Sequence, residues 1–129
     1  MNEIRFNEAQ AINNHWEKSF FNNENIDNSW RINKIQEEVR ELSEALNNLD
    51  NGDNFQNRRM VAEEAMDLII LAMQIIHESG FDCERIFKEK MDYIYRKYAP
   101  VKAAELRQVG LNNEEIVKKL KIIWNEGNR

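Results

Sequence analysis

The amino-acid sequence predicts an all-α protein, and three observations lead to that prediction. Proline occurs once and glycine four times in 129 residues, whereas Glu, Lys and Leu, which favour helices, are abundant. Apolar residues recur three or four positions apart over long segments, which places them on one face of a helix. Turn-forming Asn, Asp and Gly are concentrated between these segments. We therefore expect a four-helix bundle core with an extra C-terminal helix.

The first two helices are predicted from apolar spacing and from the turn between them. The first runs from Ile4 to Phe21, and the Asn-rich stretch Asn22 to Asn28 ends it. Asn28 or Ser29 is then expected to cap the second helix. This second helix has the clearest pattern, because its apolar residues alternate steps of three and four without a miss: Ile32, Ile35, Val39, Leu42, Leu46 and Leu49.

Three further helices follow along the chain. The turn residues Asp50 to Asn57 separate the second helix from a third, at about Arg58 to Ser79. A fourth runs from about Cys83 to Tyr98, where the dipeptide Ala99-Pro100 is expected to end it. After a short helical piece, a final amphipathic helix covers Asn113 to Glu126. We expect one domain over residues 1–129, with a core at about 4–100 and a helical tail at 101–129.

Composition excludes several classes of partner and location. The formal net charge of -5 leaves no broad cationic surface, so nucleic-acid binding is not expected. The longest apolar stretch, Leu68 to Met73, is far shorter than the roughly 20 residues that span a bilayer, so no membrane segment is expected. A single cysteine, Cys83, and an N-terminal region without the apolar core of a secretion signal indicate a cytoplasmic protein.

Two pairs of carboxylates form a candidate metal site. The third helix is apolar on almost every side in the segment AMDLIILAMQII, yet it contains Asp67, with Glu64 one turn earlier. An ionised carboxylate that is buried without a partner is costly, so this helix predicts a cation, an ion pair or a water-filled cleft beside Asp67. On the second helix Glu38 and Glu41 lie three apart, on one flank of the apolar face.

A divalent cation is the interpretation that satisfies both pairs. Four carboxylates supply the hard oxygen ligands that Mg²⁺ prefers, and the absence of Glu-x-x-His pairs argues against iron and zinc. The alternative is an ordinary charged helix surface, which the second helix taken alone would favour. Asp67 within an apolar run favours the metal site.

The acidic pattern resembles that of the MazG-like nucleotide pyrophosphohydrolases, which include MazG and the dimeric dUTPase-like and dCTPase-like proteins. Their motif EExxE, followed by ExxD, is matched by residues 37–41 and 64–67, with 22 residues between them. The resemblance covers roughly Phe6 to Pro100. It implies an all-α enzyme that cleaves a nucleoside triphosphate between the α and β phosphates, giving a monophosphate and pyrophosphate.

The resemblance also implies roles for particular residues. Mg²⁺, with Mn²⁺ as a substitute, is expected to be bound by Glu38, Glu41, Glu64 and Asp67, while Glu37 orients or deprotonates the attacking water. Phosphate binding is expected from cations of the fourth helix: Lys90, Arg96 and Lys97. One position departs from many relatives, because Ile94 stands where they have Asn.

Base recognition is the least determined part of the site. By similarity with pyrimidine-specific relatives, Trp16 and Trp30 are candidates to stack on a nucleobase. His15, Asn13 or Asn33 is expected to contact the edge of the base. The alternative, which the usual burial of Trp favours by roughly two to one, is that both tryptophans are core anchors.

A third helix that is apolar on nearly every side has more surface to cover than one small chain supplies, so we expect a homodimer or homotetramer. Two other functions stay open at this stage. One is a non-enzymatic helical bundle that serves as an interaction module. The other keeps the chemistry but acts on a phosphoribosyl-nucleotide or a nucleoside diphosphate.

Overall fold

A computed structural model describes residues 4–21 and 26–127, and every regular element in these ranges is an α-helix. The predicted all-α class is confirmed. There are five helices in the described residues: α1 Phe6–Phe21, α2 Asn28–Asn51, α3 Phe55–Glu78, α4 Cys83–Gln108 and α5 Asn113–Gly127. The chain forms two compact units, Met1–Glu84 and Arg85–Arg129. The predicted single domain stays a prediction.

In the first unit, α2 and α3 form an antiparallel hairpin, and α1 packs antiparallel against α3. Beside the turn that joins α2 to α3, the side chain of Asn57 donates to the carbonyl oxygens of Asn48 at 3.2 Å and Gly52 at 2.7 Å. At the far end of the hairpin, Arg31 Nη1 donates to Gln74 Oε1 at 3.3 Å. The two helices are therefore held together along most of their length.

The N-caps of α2 and α3 are acidic or amide side chains just before each helix. Asp27 Oδ1 accepts a hydrogen bond from the Trp30 amide at 2.8 Å. The predicted cap, Asn28 or Ser29, is wrong because the Asp27 carboxylate satisfies a free amide and also complements the positive end of the helix. Asn54 caps α3, which therefore begins three residues earlier than predicted. Of the predicted first turn, residues 22–25 lie outside the described residues.

The face of α2 that packs inward differs in part from the predicted apolar seam. Three seam residues, Ile35, Leu42 and Leu49, are half-buried, but Ile32, Val39 and Leu46 are exposed. The most buried positions of α2 are instead Arg31, Glu38 and Ala45, spaced seven apart. The inward face is rotated toward two polar residues: Arg31 contacts Glu17 of α1 and Gln74 of α3, and Glu38 pairs with Lys34 on α2 itself.

Arg31 is the centre of a buried polar network that joins three helices. Its Nη2 donates to Glu17 Oε1 of α1 at 2.9 Å, and both side chains are buried. Its Nη1 contacts Gln74 of α3, whose amide in turn donates to Asn13 Oδ1 of α1 at 3.4 Å. A guanidinium with five donors in a fixed plane can hold such a junction in one geometry.

In the second unit, α4 and α5 form a helical hairpin with its own small core. Ala103 and Leu106 of α4 are buried against Ile116 of α5. Gly110, with φ of +95°, makes the turn between the two helices, a conformation that L side chains rarely adopt. Farther along, the Tyr95 hydroxyl donates to the Leu120 carbonyl at 3.2 Å.

The predicted end of α4 at Tyr98 is wrong, because the helix continues through Pro100 to Gln108. Proline removes one backbone hydrogen bond from a helix interior. The packing of Ala103 and Leu106 against α5, on the far side of Pro100, stabilises the continued helix against this loss. In the described residues, no helix has the length and apolar character needed to cross a membrane.

The Arg31 network yields a first prediction. Glu17→Ala should destabilise the protein by about 3 kcal/mol, because it leaves a buried guanidinium without its main counter-charge. Glu78→Ala is the matched control: Glu78 also contacts Arg31 Nη2, at 3.5 Å, but its side chain is largely exposed. The control should cost less than about 1 kcal/mol. Urea unfolding measures both values, and equal losses for the two variants would contradict this account of the network.

Candidate metal centre

Three of the four predicted metal ligands lie together between α2 and α3. Glu38 and Glu41 project from α2 about 60° apart around its axis, and Glu64 approaches them from α3. Each offers a carboxylate oxygen, and these oxygens all lie within 4.8 Å of one another. Glu38 is buried, and Glu41 and Glu64 are half-buried. The antiparallel hairpin is what brings residues of two distant motifs to one place.

The cluster has buried acceptor atoms that no described residue satisfies. Glu38 Oε2 and Glu64 Oε2 are both buried and have no hydrogen-bond partner among the residues that the structure describes. A buried carboxylate oxygen without a partner is costly, and a second one beside it adds repulsion. A set of donors made only of oxygens suits a hard divalent cation such as Mg²⁺. The residues present therefore fit such an ion.

The pKa values of two carboxyls reflect this concentration of negative charge. Partial burial, followed by the charges of Glu38 and Glu64, raises the pKa of Glu41 above its ordinary value. Loss of hydration and the charge of Glu38 raise the pKa of Asp67, although the Lys34 ammonium opposes this shift. Both shifts disfavour the charged forms of these carboxyls.

Asp67, the fourth predicted ligand, is not among the residues whose carboxylate oxygens lie within 4.8 Å of one another. The side chain of Asp67 is exposed. The expectation that Asp67 is buried is therefore wrong for the chain by itself. Met66 and Ile69 of α3 are exposed as well. The reason is that α1 and α2 pack on one side of α3 and leave this side uncovered. The charge of Glu38 still influences Asp67, and its role as a ligand stays a prediction.

Lys34, which is not among the predicted site residues, lies at the edge of the cluster. Lys34 Nζ is 3.2 Å from Glu38 Oε1 and 3.4 Å from Glu37 Oε2. The signal was available in the sequence, because Lys34 precedes these residues by three and four positions on one helix. Glu37, the predicted catalytic carboxylate, is exposed and engaged in this ion pair, and its catalytic role stays a prediction.

The predicted phosphate-binding cations all lie on α4, in the second unit. Lys90 Nζ lies 5.1 Å from the centroid of the Tyr93 ring, and Lys97 Nζ lies 5.5 Å from that of Tyr98. Arg96 Nε is 3.0 Å from Asp92 Oδ2. All three cations are exposed and contact neighbours on their own helix. Their role in phosphate binding stays a prediction.

The candidate base-binding residues are mostly on the surface. Trp16 is 58% exposed, so the interpretation of Trp16 as a core anchor is wrong for the chain by itself. The Trp16 ring packs on the Phe20 ring, with 5.2 Å between the ring centroids. Trp30 is half-buried, while His15 and Asn33 are exposed. These side chains are therefore accessible, and contact with a nucleobase stays a prediction.

Comparison with known proteins identifies the family. A family model described as phosphoribosyl-ATP pyrophosphohydrolase matches residues 8–92. This range includes most of α1, all of α2 and α3, the start of α4 and all five residues of the acidic motifs. No curated protein and no solved structure matches the chain. This family lies within the MazG-like all-α pyrophosphohydrolase superfamily, so the resemblance found in the sequence is confirmed at that level and not for any particular member. This match implies that the chain is a pyrophosphohydrolase. The chain belongs to the phosphoribosyl-ATP pyrophosphohydrolase family.

Proposed function

We propose that this chain hydrolyses the bond between the α and β phosphates of a nucleotide triphosphate group, with Mg²⁺ held by Glu38, Glu41 and Glu64. The observation that carries the proposal is the convergence of these three carboxylates inside the segment that matches the family. Two of their buried oxygens have no hydrogen-bond partner within the described part of the chain. Asp67 is the fourth candidate ligand, at the exposed edge of the cluster.

In this reaction, water forms a bond to the α-phosphorus, the bond from that phosphorus to the bridging oxygen breaks, and pyrophosphate leaves. A bound divalent ion supplies positive charge against the charge that develops on the phosphate oxygens. Glu37, an exposed carboxylate next to the cluster in sequence, is our candidate to accept the proton from the attacking water. Lys34 Nζ lies 3.4 Å from Glu37 Oε2.

Two classes of substrate carry the triphosphate that this reaction requires. The family match favours a phosphoribosyl-nucleotide, phosphoribosyl-ATP, whereas the wider superfamily resemblance predicted a nucleoside or deoxynucleoside triphosphate. Both present the same α–β bond to the cluster and differ in the group attached to the base. We place phosphoribosyl-ATP first among the candidates, because the matching family is described by its action on that nucleotide.

The activity test follows directly. With Mg²⁺, the wild type should release pyrophosphate and a monophosphate from phosphoribosyl-ATP or from one of the standard triphosphates, as resolved by anion-exchange chromatography. Glu38→Gln should lower kcat at least about 100-fold, since it removes the buried ligand. Asp67→Asn should also lose activity.

Glu44→Gln is the control for this test, because Glu44 is an exposed α2 residue paired with Arg40 at 2.9 Å, and its activity should match wild type. Products that contain orthophosphate instead of pyrophosphate would show cleavage at a different bond and contradict the proposed reaction.

The repulsion within the cluster predicts an unusual effect of neutralising Glu41. Glu41→Gln removes one negative charge, so the metal-free protein should melt at a higher temperature than wild type. The same variant should gain less stability from Mg²⁺, because a ligand is lost. Differential scanning fluorimetry with EDTA or with Mg²⁺ measures both effects. A metal-free Glu41→Gln protein that melts below wild type would contradict a repulsive cluster.

We also propose that the chain assembles as a homodimer or homotetramer. The support is apolar surface on all three helices of the first unit, exemplified by Trp16 of α1, Ile32 of α2 and Met66 of α3, each at least half exposed. Light scattering coupled to size exclusion should give two or four times the chain mass of 15.4 kDa. A monomer at micromolar concentration would rule the proposal out.

A further inference from the structure

We infer that Lys34 is the built-in counter-cation of the metal-free site, and that it competes with the divalent ion for Glu38. The inference rests on the proposed function, which it deepens by assigning a residue that sets the metal affinity of the same site. Lys34 is neither one of the predicted ligands nor one of the predicted phosphate-binding residues.

The Lys34 ammonium contacts one oxygen of Glu38, and the other oxygen of Glu38 has no hydrogen-bond partner among the described residues. Lys34 Nζ lies 3.2 Å from Glu38 Oε1, while Glu38 Oε2 is buried without a partner among the described residues. Glu38 thus has one oxygen held by a protein cation and one left for an ion shared with Glu41 and Glu64. The Lys34 side chain is 36% exposed, so part of its stem is covered by protein.

The Lys34 charge is present at neutral pH and reaches both helices of the site. Burial lowers the pKa of Lys34, but the hydrogen bonds to Glu38 and Glu37, together with the negative charges of these two residues, leave the pKa above its ordinary value. On α3, the same charge lowers the pKa of Asp67 against the effects of lost hydration and of Glu38. One ammonium therefore partly offsets the carboxylates of two helices.

Opposite effects on stability and metal affinity follow from this placement. Without metal, the ammonium is the counter-charge of a buried carboxylate, so losing it should destabilise the fold. With metal, the single positive charge on one oxygen of Glu38 would lie beside a double charge on the other, and their repulsion weakens the hold of each cation on Glu38. Removing the ammonium should therefore weaken the metal-free protein and tighten metal binding. A lysine with a merely structural role would weaken both together.

The test compares Lys34→Met, Lys34→Gln and Lys34→Arg with wild type. Titration calorimetry with Mg²⁺ alone should show about three- to tenfold tighter binding for the Met and Gln variants, which lack the charge. Their melting temperatures in EDTA should fall below that of wild type. Lys34→Arg keeps the charge and should restore the wild-type dissociation constant. Lys102→Met is the matched control, because Lys102 pairs with Glu105 at the same 3.4 Å and i,i+3 spacing as the Lys34–Glu37 pair.

The outcomes separate this inference from the proposed function. If wild type binds Mg²⁺ and releases pyrophosphate, but neither uncharged variant binds Mg²⁺ more tightly, the inference is overturned and the proposed function stands. If wild type neither binds Mg²⁺ nor releases pyrophosphate, the proposed function fails and the inference fails with it. Tighter binding in Lys102→Met as well would assign the effect to net charge and would also overturn the role given to Lys34.

Discussion

Like-charge repulsion between Glu38, Glu41 and Glu64 is the constraint on which the first unit depends. Three carboxylate oxygens lie within 4.8 Å of one another, and two of these side chains have a buried oxygen without a partner among the described residues. Their repulsion opposes the pairing of α2 with α3. That pairing must be held by other contacts, and a bound cation would lower the repulsion. The site and the hairpin are therefore linked: the fold brings the carboxylates together, and a bound ion would strengthen the fold.

The buried Arg31 network holds α2 to its neighbouring helices and so offsets the repulsion between the carboxylates. Arg31 and Glu38 are seven residues apart on α2, so they occupy the same face, and Arg31 binds Glu17 of α1 and Gln74 of α3. Near the turn, Asn57 ties α3 to the end of α2. The carboxylate cluster thus lies between two polar junctions that fix the register of the hairpin. An apolar seam alone allows neighbouring registers more readily, because its contacts are not directional.

Much of this could be predicted from the sequence, and the failures have physical causes. The helix order and the meeting of Glu38, Glu41 and Glu64 follow from periodicity and from the paired acidic motifs. The end of α4 was misplaced because the local effect of Pro100 was outweighed by packing of Ala103 and Leu106, which local rules cannot weigh. Burial of Asp67 was overestimated because an apolar helix face does not reveal whether its own chain covers it. Family membership came from the match to residues 8–92, and the substrate remains the part that neither periodicity nor the acidic cluster specifies.

The central claim is that Glu38, Glu41 and Glu64 hold one divalent ion that serves the pyrophosphohydrolase reaction. The most direct measurement is the anomalous diffraction of crystals of the wild-type protein grown with Mn²⁺, which substitutes for Mg²⁺ and scatters anomalously. We expect an anomalous peak at about 2.1–2.2 Å from an oxygen of each of the three carboxylates. A fully occupied Mn²⁺ peak elsewhere, with these carboxylates free of metal, would contradict it.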